Sequence, residues 1–370
     1  MKLIITKENL IKALQKIIGV VEKRQTMPIL SHILIRKNEE SCEVVASDLE
    51  VQLTSDLSLE DGSNLAEDLT IPGRKLFDIG KGLPDDAVLE IEKEDEGKLK
   101  IKSKKSKFLL SALDAKTFPL MEPEEENSVN FSLKSNDFKD IVQKTSFAMA
   151  QQDVRYYLNG LYMFMTNEDV FGVATDGHRL AKAGVSAQLG LQNNVSAIIP
   201  RKGVIEIDKQ LEEAGEELEV AISKNHLQVI CKSSSAISKL IDGKFPDYEK
   251  VIPVDADKHV MVDCKSFKEA LIRVSILSND RFRGVRLNFE ENEIKVSANN
   301  PEKEEATDDI KAEYSGEPIE VGFNVNYLID VLNVIKTKKV QISLKDANSS
   351  ALLSPENDGS SSYVVMPLRL

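Results

Sequence analysis

Leu10-Ile11-Lys12-Ala13-Leu14-Gln15-Lys16-Ile17-Ile18-Gly19-Val20 sets Leu10, Ala13, Leu14, Ile17 and Val20 at spacing i, i+3, i+4, i+7, i+10. That is one apolar stripe of an amphipathic helix. The same spacing returns at Phe138, Ile141, Val142, Thr145 and Ala148, and again at Phe267, Ala270, Leu271, Val274 and Leu277, with anchors 128 and 129 residues apart. A short alternating strand precedes each helix, at 2–6, 130–134 and 260–264. Thr6, Asn136 and Ser266 are the expected N-caps. Three matches in order, at nearly equal spacing, read as a threefold internal repeat.

The chain beyond each helix repeats as well. Two strands joined by a polar turn are predicted at 33–35 with 44–48, at 161–165 with 170–176, and at 285–289 with 294–299. A second helix is expected over 73–82, 202–214 and 325–336, and closing strands end each copy. Each third is therefore α+β, two helices on mostly antiparallel strands. Acidic, proline-containing stretches at 122–126 and 253–257 place the boundaries, giving domains 1–126, 127–254 and 255–370. The 370-residue length fits several domains, because single cores stop growing near about 250–300 residues.

Charge is uneven. The chain has 48 Lys+Arg against 61 Asp+Glu, net −13. An acidic chain is a poor candidate for simple charge-driven coating of nucleic acid. The six helical windows, however, sum to +7, leaving −20 on the remainder. Lys12, Lys16 and Lys23 fall on one helical face opposite the apolar stripe. On a single helix such lysines mark a solvated face. Repeated on helices that share one surface, they make a positive face able to hold a polyanion by phosphate contacts without reading bases. Absence of Trp and 5% aromatic content argue against a stacking platform for single strands.

Recognised chemistry is absent. There is no Walker loop, GxGxxG, GxSxG or HExxH. Cys42, Cys231 and Cys264 form no CxxC pair, which reads as a reducing cytoplasm. No apolar run reaches the roughly 18–20 residues of a membrane span, and no signal peptide is read at the start. The tightest polar group is Thr175-Asp176-Gly177-His178-Arg179. It admits an Asp176–His178 dyad, but Asp176 matches Asp48 and Asn299 by repeat position, so a turn at a strand end is the stronger reading. No catalytic residue, metal or cofactor is expected.

Ala174-Thr-Asp-Gly-His-Arg-Leu-Ala181, Phe245-Pro-Asp-Tyr248, Gln152-Asp-Val-Arg-Tyr-Tyr-Leu-Asn-Gly160 and the terminal Tyr363-Val-Val-Met-Pro-Leu-Arg-Leu370 closely resemble the bacterial DNA polymerase III β subunit, the sliding clamp, from Met1 to Leu370. The resemblance implies a processivity factor: three tandem clamp domains per chain and a head-to-tail homodimeric ring with helices inside. Twelve helices at an interaxial distance of about 8–10 Å leave an opening of roughly 21–28 Å, near the width of a duplex.

By position, the resemblance places double-stranded DNA contacts, without sequence preference, at Arg24, Arg74, Gln152, Tyr156, Tyr157 and Lys202. It places a partner-peptide pocket among Leu158, Thr175, Gly177, His178, Arg179, Leu180, Pro246, Lys250, Val251, Asn324, Tyr327, Ser350, Val364, Met366, Pro367, Leu368 and Arg369. Implied partners are the polymerase III catalytic subunit, the clamp loader, and other polymerases and repair factors carrying clamp-binding peptides; the implied location is the cytoplasm, associated with the nucleoid. The dimer joint is expected from Phe108, Leu110, Ile276 and Leu277, with Lys105 and Lys107 opposite Glu302, Glu304 and Glu305. Rival readings are an acidic peptide-recruiting scaffold that never encloses DNA and an enzyme using Asp176 and His178.

Overall fold

The computed structural model describes residues 2–21, 27–38, 41–94, 97–122, 128–213 and 215–369. Lys23, Arg24, Leu370 and most of the first expected boundary lie outside the described residues. The first third runs β1 (Lys2–Thr6), α1 (Lys7–Ile17), β2 (His32–Asn38), β3 (Ser41–Ser47), β4 (Val51–Asp56), β5 (Leu69–Pro72), α2 (Gly73–Gly82), β6 (Val88–Glu94), β7 (Lys98–Ser103) and β8 (Ser106–Ser111). The second runs β9 (Val129–Lys134), α3 (Ser135–Thr145), β10 (Gly160–Met165), β11 (Asp169–Thr175), β12 (Arg179–Ser186), β13 (Val195–Pro200), α4 (Arg201–Gln210), β14 (Glu217–Ile222), β15 (His226–Cys231) and β16 (Ser234–Lys239). The third runs β17 (Lys258–Asp263), α5 (Cys264–Ser275), β18 (Gly284–Glu290), β19 (Glu293–Asn299), β20 (Glu305–Glu313), β21 (Ile319–Asn324), α6 (Val325–Val334), β22 (Lys339–Leu344), β23 (Ala351–Pro355) and β24 (Ser361–Val365).

All three copies have the order βαββββαβββ and build the same two quartets of strands. One quartet is β1-β6-β7-β8, β9-β14-β15-β16 or β17-β22-β23-β24; the other is β5-β2-β3-β4, β13-β10-β11-β12 or β21-β18-β19-β20. Pairing is antiparallel throughout. The quartets then join edge to edge. β4 pairs β16, with Leu53 opposite Ala236, and makes an eight-stranded sheet. β12 pairs β24, with Ala181 opposite Tyr363, and β17 pairs the end of β20, making a twelve-stranded sheet.

Edge pairing redraws the units. The chain divides into two compact units, 1–138 with 202–240, and 139–201 with 241–370. The sequence thirds 1–126, 127–254 and 255–370 are a different partition, by repeat. The middle third gives one quartet to the eight-stranded sheet and the other to the twelve-stranded one. Amphipathic period shows where an element lies, but not which foreign edge completes its ladder.

Within each unit the helices pack on the sheets. Leu10, Ala13, Leu14 and Ile17 of α1 are buried against β3 and β4. Phe267, Ala270, Leu271 and Val274 of α5 are buried against β19 and β20. Helices of 10–12 residues are marginal alone. Burial of each large apolar side chain, about 1.5–3 kcal/mol, is what holds them. At Gly172 an added Cβ would stand 2.4 Å from Ile141 of α3, so the missing side chain lets the helix lie close on the sheet.

Thr6 caps α1 as expected, accepting from the Asn9 N–H at 3.3 Å. The other two caps shift. α3 starts at Ser135, which puts Asn136 inside the helix. Asp263, not Ser266, caps α5 and accepts from the Ser266 N–H at 2.9 Å. A carboxylate three residues upstream reaches that N–H, a role Ser266 cannot fill from within the first turn.

Cys42, Cys231 and Cys264 are free and buried. Burial raises all three thiols, Cys42 and Cys264 to about 11. At pH 8 they are protonated and shielded, and thiolate chemistry needs the thiolate. An aromatic disulfide reagent at pH 8 is expected to label none of the three within minutes in the native protein and all three in denaturant. Rapid native labelling would contradict this packing.

Candidate functional site

A buried apolar cluster bordered by exposed apolar side chains lies in the second unit. Its floor is Leu158, Leu180 and Val364, at 2%, 3% and 1% exposure, over Val173 and Phe245. The sheet supplies the floor through register: Thr175 faces Leu180, and Leu180 faces Val364, in one row across β11, β12 and β24. The linker after β16 supplies a wall. Phe245 stacks on Tyr162 at 4.8 Å, and Tyr248 leans on the same ring at 6.2 Å. Above the floor Val251 and Met366 stay 46% and 44% exposed. Exposed apolar side chains beside a buried apolar cluster form a surface suited to apolar side chains of another chain.

The β11–β12 turn is locked by its own polar groups. Asp176 Oδ1 accepts from the N–H groups of His178 and Arg179 at 2.9 and 3.0 Å, and Oδ2 from Arg179 Nε at 3.1 Å. Thr175 Oγ1 accepts from the Gly177 N–H at 3.1 Å and donates to the Arg179 carbonyl at 2.6 Å. Gly177 has φ +88, and a Cβ there would meet the Arg155 guanidinium at 2.9 Å. Both Asp176 oxygens accept within the turn, as the strand-end reading expects. Asp48 makes the corresponding turn in the first repeat, and in the third it is Asn300, not Asn299, that accepts from the Glu304 N–H. Asp48, Asp176 and Asn300 each directly follow the last residue of their strand, so Asn300 is the equivalent position and the sequence expectation lay one residue short of it.

Arg179 ties the pocket to the third repeat. It donates to Asp330 Oδ2 at 2.5 Å and to the Phe147 carbonyl at 2.8 Å, and its guanidinium lies 4.6 Å from the Tyr327 ring centroid. Burial raises the Tyr327 hydroxyl pKa. The tail is held from both sides: the Met366 N–H donates to the His178 carbonyl at 3.0 Å, and the Leu368 N–H to the Gly322 carbonyl at 2.7 Å.

Most expected pocket residues come together. Leu158, Thr175, Gly177, His178, Arg179, Leu180, Val364 and Met366 form the floor, turn and tail. Pro246, Lys250 and Val251 lie on the adjoining linker, where Lys250 pairs with Asp247 at 2.7 Å. Asn324 caps α6 and Tyr327 meets Arg179; Ser350 precedes β23. Leu368 and Arg369 instead line a separate groove with Phe282 and Arg286, because the tail has crossed onto β21. The expected pocket lining omitted Phe245 and Tyr248, although Phe245-Pro-Asp-Tyr248 is one of the motifs quoted for the resemblance, and it omitted Asp330. Thr117-Phe118-Pro119 recurring as Lys244-Phe245-Pro246 is the signal that could have found the first.

The expected DNA contacts divide. Gln152, at φ +55, and Tyr156 are exposed, while Tyr157 packs half-buried on the pocket core. Asp153 beside them is held down to about 2 by the Arg155 guanidinium. Arg74 donates from Nε to the Val21 carbonyl at 2.6 Å, at the end of the first helical segment. Lys202 pairs with the nearly buried Asp48 carboxylate at 2.5 Å, and Lys16 donates to Ser233 Oγ at 2.8 Å. Both lysines therefore serve packing as well as surface charge.

Family models of the DNA polymerase III beta subunit match nearly all of the chain: the N-terminal domain over 1–122, the central domain over 132–247 and the C-terminal domain over 249–369. The chain belongs to the DNA polymerase III beta subunit family. Its function is that of a sliding clamp, the processivity factor of a DNA polymerase. It is 44% identical to the beta sliding clamp of Pseudomonas aeruginosa over 99% of both chains, and 40% identical to that of Escherichia coli K12 over 100% of both. Among solved structures, a Pseudomonas aeruginosa sliding clamp bound to griselimycin superposes with TM-score 0.95 at 44% identity over 100% of both chains. A Caulobacter crescentus clamp superposes at 0.94 and 34%, covering 100% and 99% of the two chains.

The Arg179–Asp330 pair gives a direct test of the site's framework. Arg179→Ala is expected to cost about 1–3 kcal/mol in urea unfolding, since it strands polar partners. A double-mutant cycle with Asp330→Ala should return a coupling of about 0.5–3 kcal/mol. Strict additivity would show the pair to be idle.

Proposed function

We propose that two copies of this chain close head to tail into a ring around duplex DNA, slide on it, and tether partners through the Leu158–Leu180–Val364 groove. One observation carries the reading. In this fold the fourth strand of one repeat pairs the last strand of the next, β4 with β16 and β12 with β24. Among the described residues β8 pairs only β7, and β20 is paired on its second side only at Ala312 and Glu313. β8 and the rest of β20 are the two halves of the same joint, and a second copy supplies what each lacks.

Carrying the register of the two closed joints to the third sets Leu109 against Glu305, Phe108 against Ala306, Lys107 against Thr307 and Ser106 against Asp308 of the other copy. Chemistry supports that assignment. Lys105 and Lys107 are exposed on one side, and Glu302, Glu304 and Glu305 on the other. Phe108, Leu110 and Leu277 are half-buried and Ile276 is 75% exposed. Exposed ion pairs contribute about 0–1 kcal/mol each, so the apolar group carries the affinity and the charges set register.

Six repeats would bring twelve helices to the lining. Arg74, Gln152, Tyr156, Tyr157 and Lys202 are proposed to meet the backbone, with Lys202 trading Asp48 for phosphate. Such contacts are mobile and read no bases, which permits sliding. Retention is topological, and the chain performs no chemistry; loading falls to a separate ATP-driven loader. The pocket would serve the polymerase catalytic subunit, that loader, and other polymerases and repair factors. The setting is cytoplasmic, at the nucleoid.

Three measurements test the reading. Loaded protein should stay on circular duplex and run off once the circle is cut; equal retention on both would end the ring account. Oxidation of Lys107→Cys/Thr307→Cys protein should yield covalent dimers, whereas Lys107→Cys/Ala306→Cys should not, because a one-residue slip turns the side chains to opposite faces. With griselimycin as probe, Met366→Ala should weaken binding about tenfold, as loss of one apolar wall predicts; unchanged affinity would move the pocket elsewhere.

A further inference from the structure

Leu30, Leu158 and Phe282 occupy one place in the three repeats. Each stands two residues before His32, Gly160 or Gly284, which face Pro72, Pro200 and Asn324 across the sheet. Leu30 and Leu158 are each 2% exposed, clustered with Phe118 and Phe245 from the Phe-Pro segment that follows their own repeat. Phe282 is 53% exposed. The segment after the third repeat sets Leu368 in the same region and leaves Phe282 open.

Phe282 borders a groove of about 470 Å³ that also includes Arg286, Asn299, Pro301, Leu368 and Arg369. No carboxylate lines it, although the chain carries net −13. Arg286 and Arg369 are exposed and form no ion pair among the described residues. Arg281 lies 5.4 Å from the Phe282 ring centroid and adds a third cation. The bond from the Leu368 N–H to the Gly322 carbonyl holds the tail, and with it Arg369, at the rim.

We propose that this groove is a second peptide-docking site, which takes an extended segment of a partner protein. A bulky apolar side chain of that segment covers Phe282 as Phe118 and Phe245 cover the corresponding leucines. Carboxylates flanking it reach Arg286 and Arg369. The repeat supplies the apolar requirement, and the unpaired arginines supply the charge requirement. The site stands apart from the Leu158–Leu180–Val364 groove and does not depend on what that groove binds.

The test uses the full chain and fluorescein-labelled Glu-Asp-Phe-Asp-Glu, read by fluorescence anisotropy. Glu-Asp-Ala-Asp-Glu is the control peptide. The phenylalanine peptide should bind at least tenfold tighter than the alanine peptide. Phe282→Ala and, separately, Arg286→Glu should each weaken it at least tenfold, with thermal unfolding unchanged because both side chains are exposed. Val251→Ala, in the other groove, should leave the affinity within twofold. If Val251→Ala weakens binding and Phe282→Ala does not, the peptide sits in the other groove and the proposal is overturned. Equal affinity for both peptides, or no binding at millimolar concentration, overturns it too.

Discussion

An antiparallel edge strand leaves a row of N–H and C=O groups that must find partners. In this protein the repeats meet that demand from one another. β4 takes β16 and β12 takes β24, in the same register sense, so the sheets run on from one repeat into the next. Everything else depends on those ladders. The helices have a surface to pack on because quartets are joined into long sheets. The pocket has a floor because Leu180 and Val364 are brought opposite each other by the β12–β24 pairing.

The same constraint explains why the proposed binding site and the proposed joint share one architecture. The main groove is formed where one repeat's fourth strand meets the next repeat's last strand. Polar turns at Asp176 and the tail bonds at His178 and Gly322 then fix its rim. The buried floor and the exposure of Val251 and Met366 differ in role: the sheet holds shape, and the apolar side chains beside it stay open. The third repeat has the same place in the fold, but a different residue, Phe282, and no cover of the kind the others have.

Charge acts at a different level. The helical windows sum to +7 against −20 on the remainder, so cations are concentrated on the helices. Several of those cations have a second task. Lys202 holds Asp48, Lys16 holds Ser233, and Arg74 holds the Val21 carbonyl. A surface built from such residues is positive and also well anchored.

The helices and the threefold order were legible in the sequence, because an apolar period of 3.6 on Leu10–Val20 and its two copies is a local property of the chain. The turn at Asp176 was legible for the same reason. Caps were read a residue or more off at Asn136 and Ser266, since side-chain reach, and not residue type alone, chooses the acceptor. Tertiary structure alone decided the rest. It set which foreign edge each quartet takes, that Asp48 and Lys202 become a pair across 154 residues of chain, and that the tail carries Leu368 and Arg369 away from Leu180 onto β21. These are long-range choices, settled by which unsatisfied backbone edges and buried charges meet, and no local pattern records them.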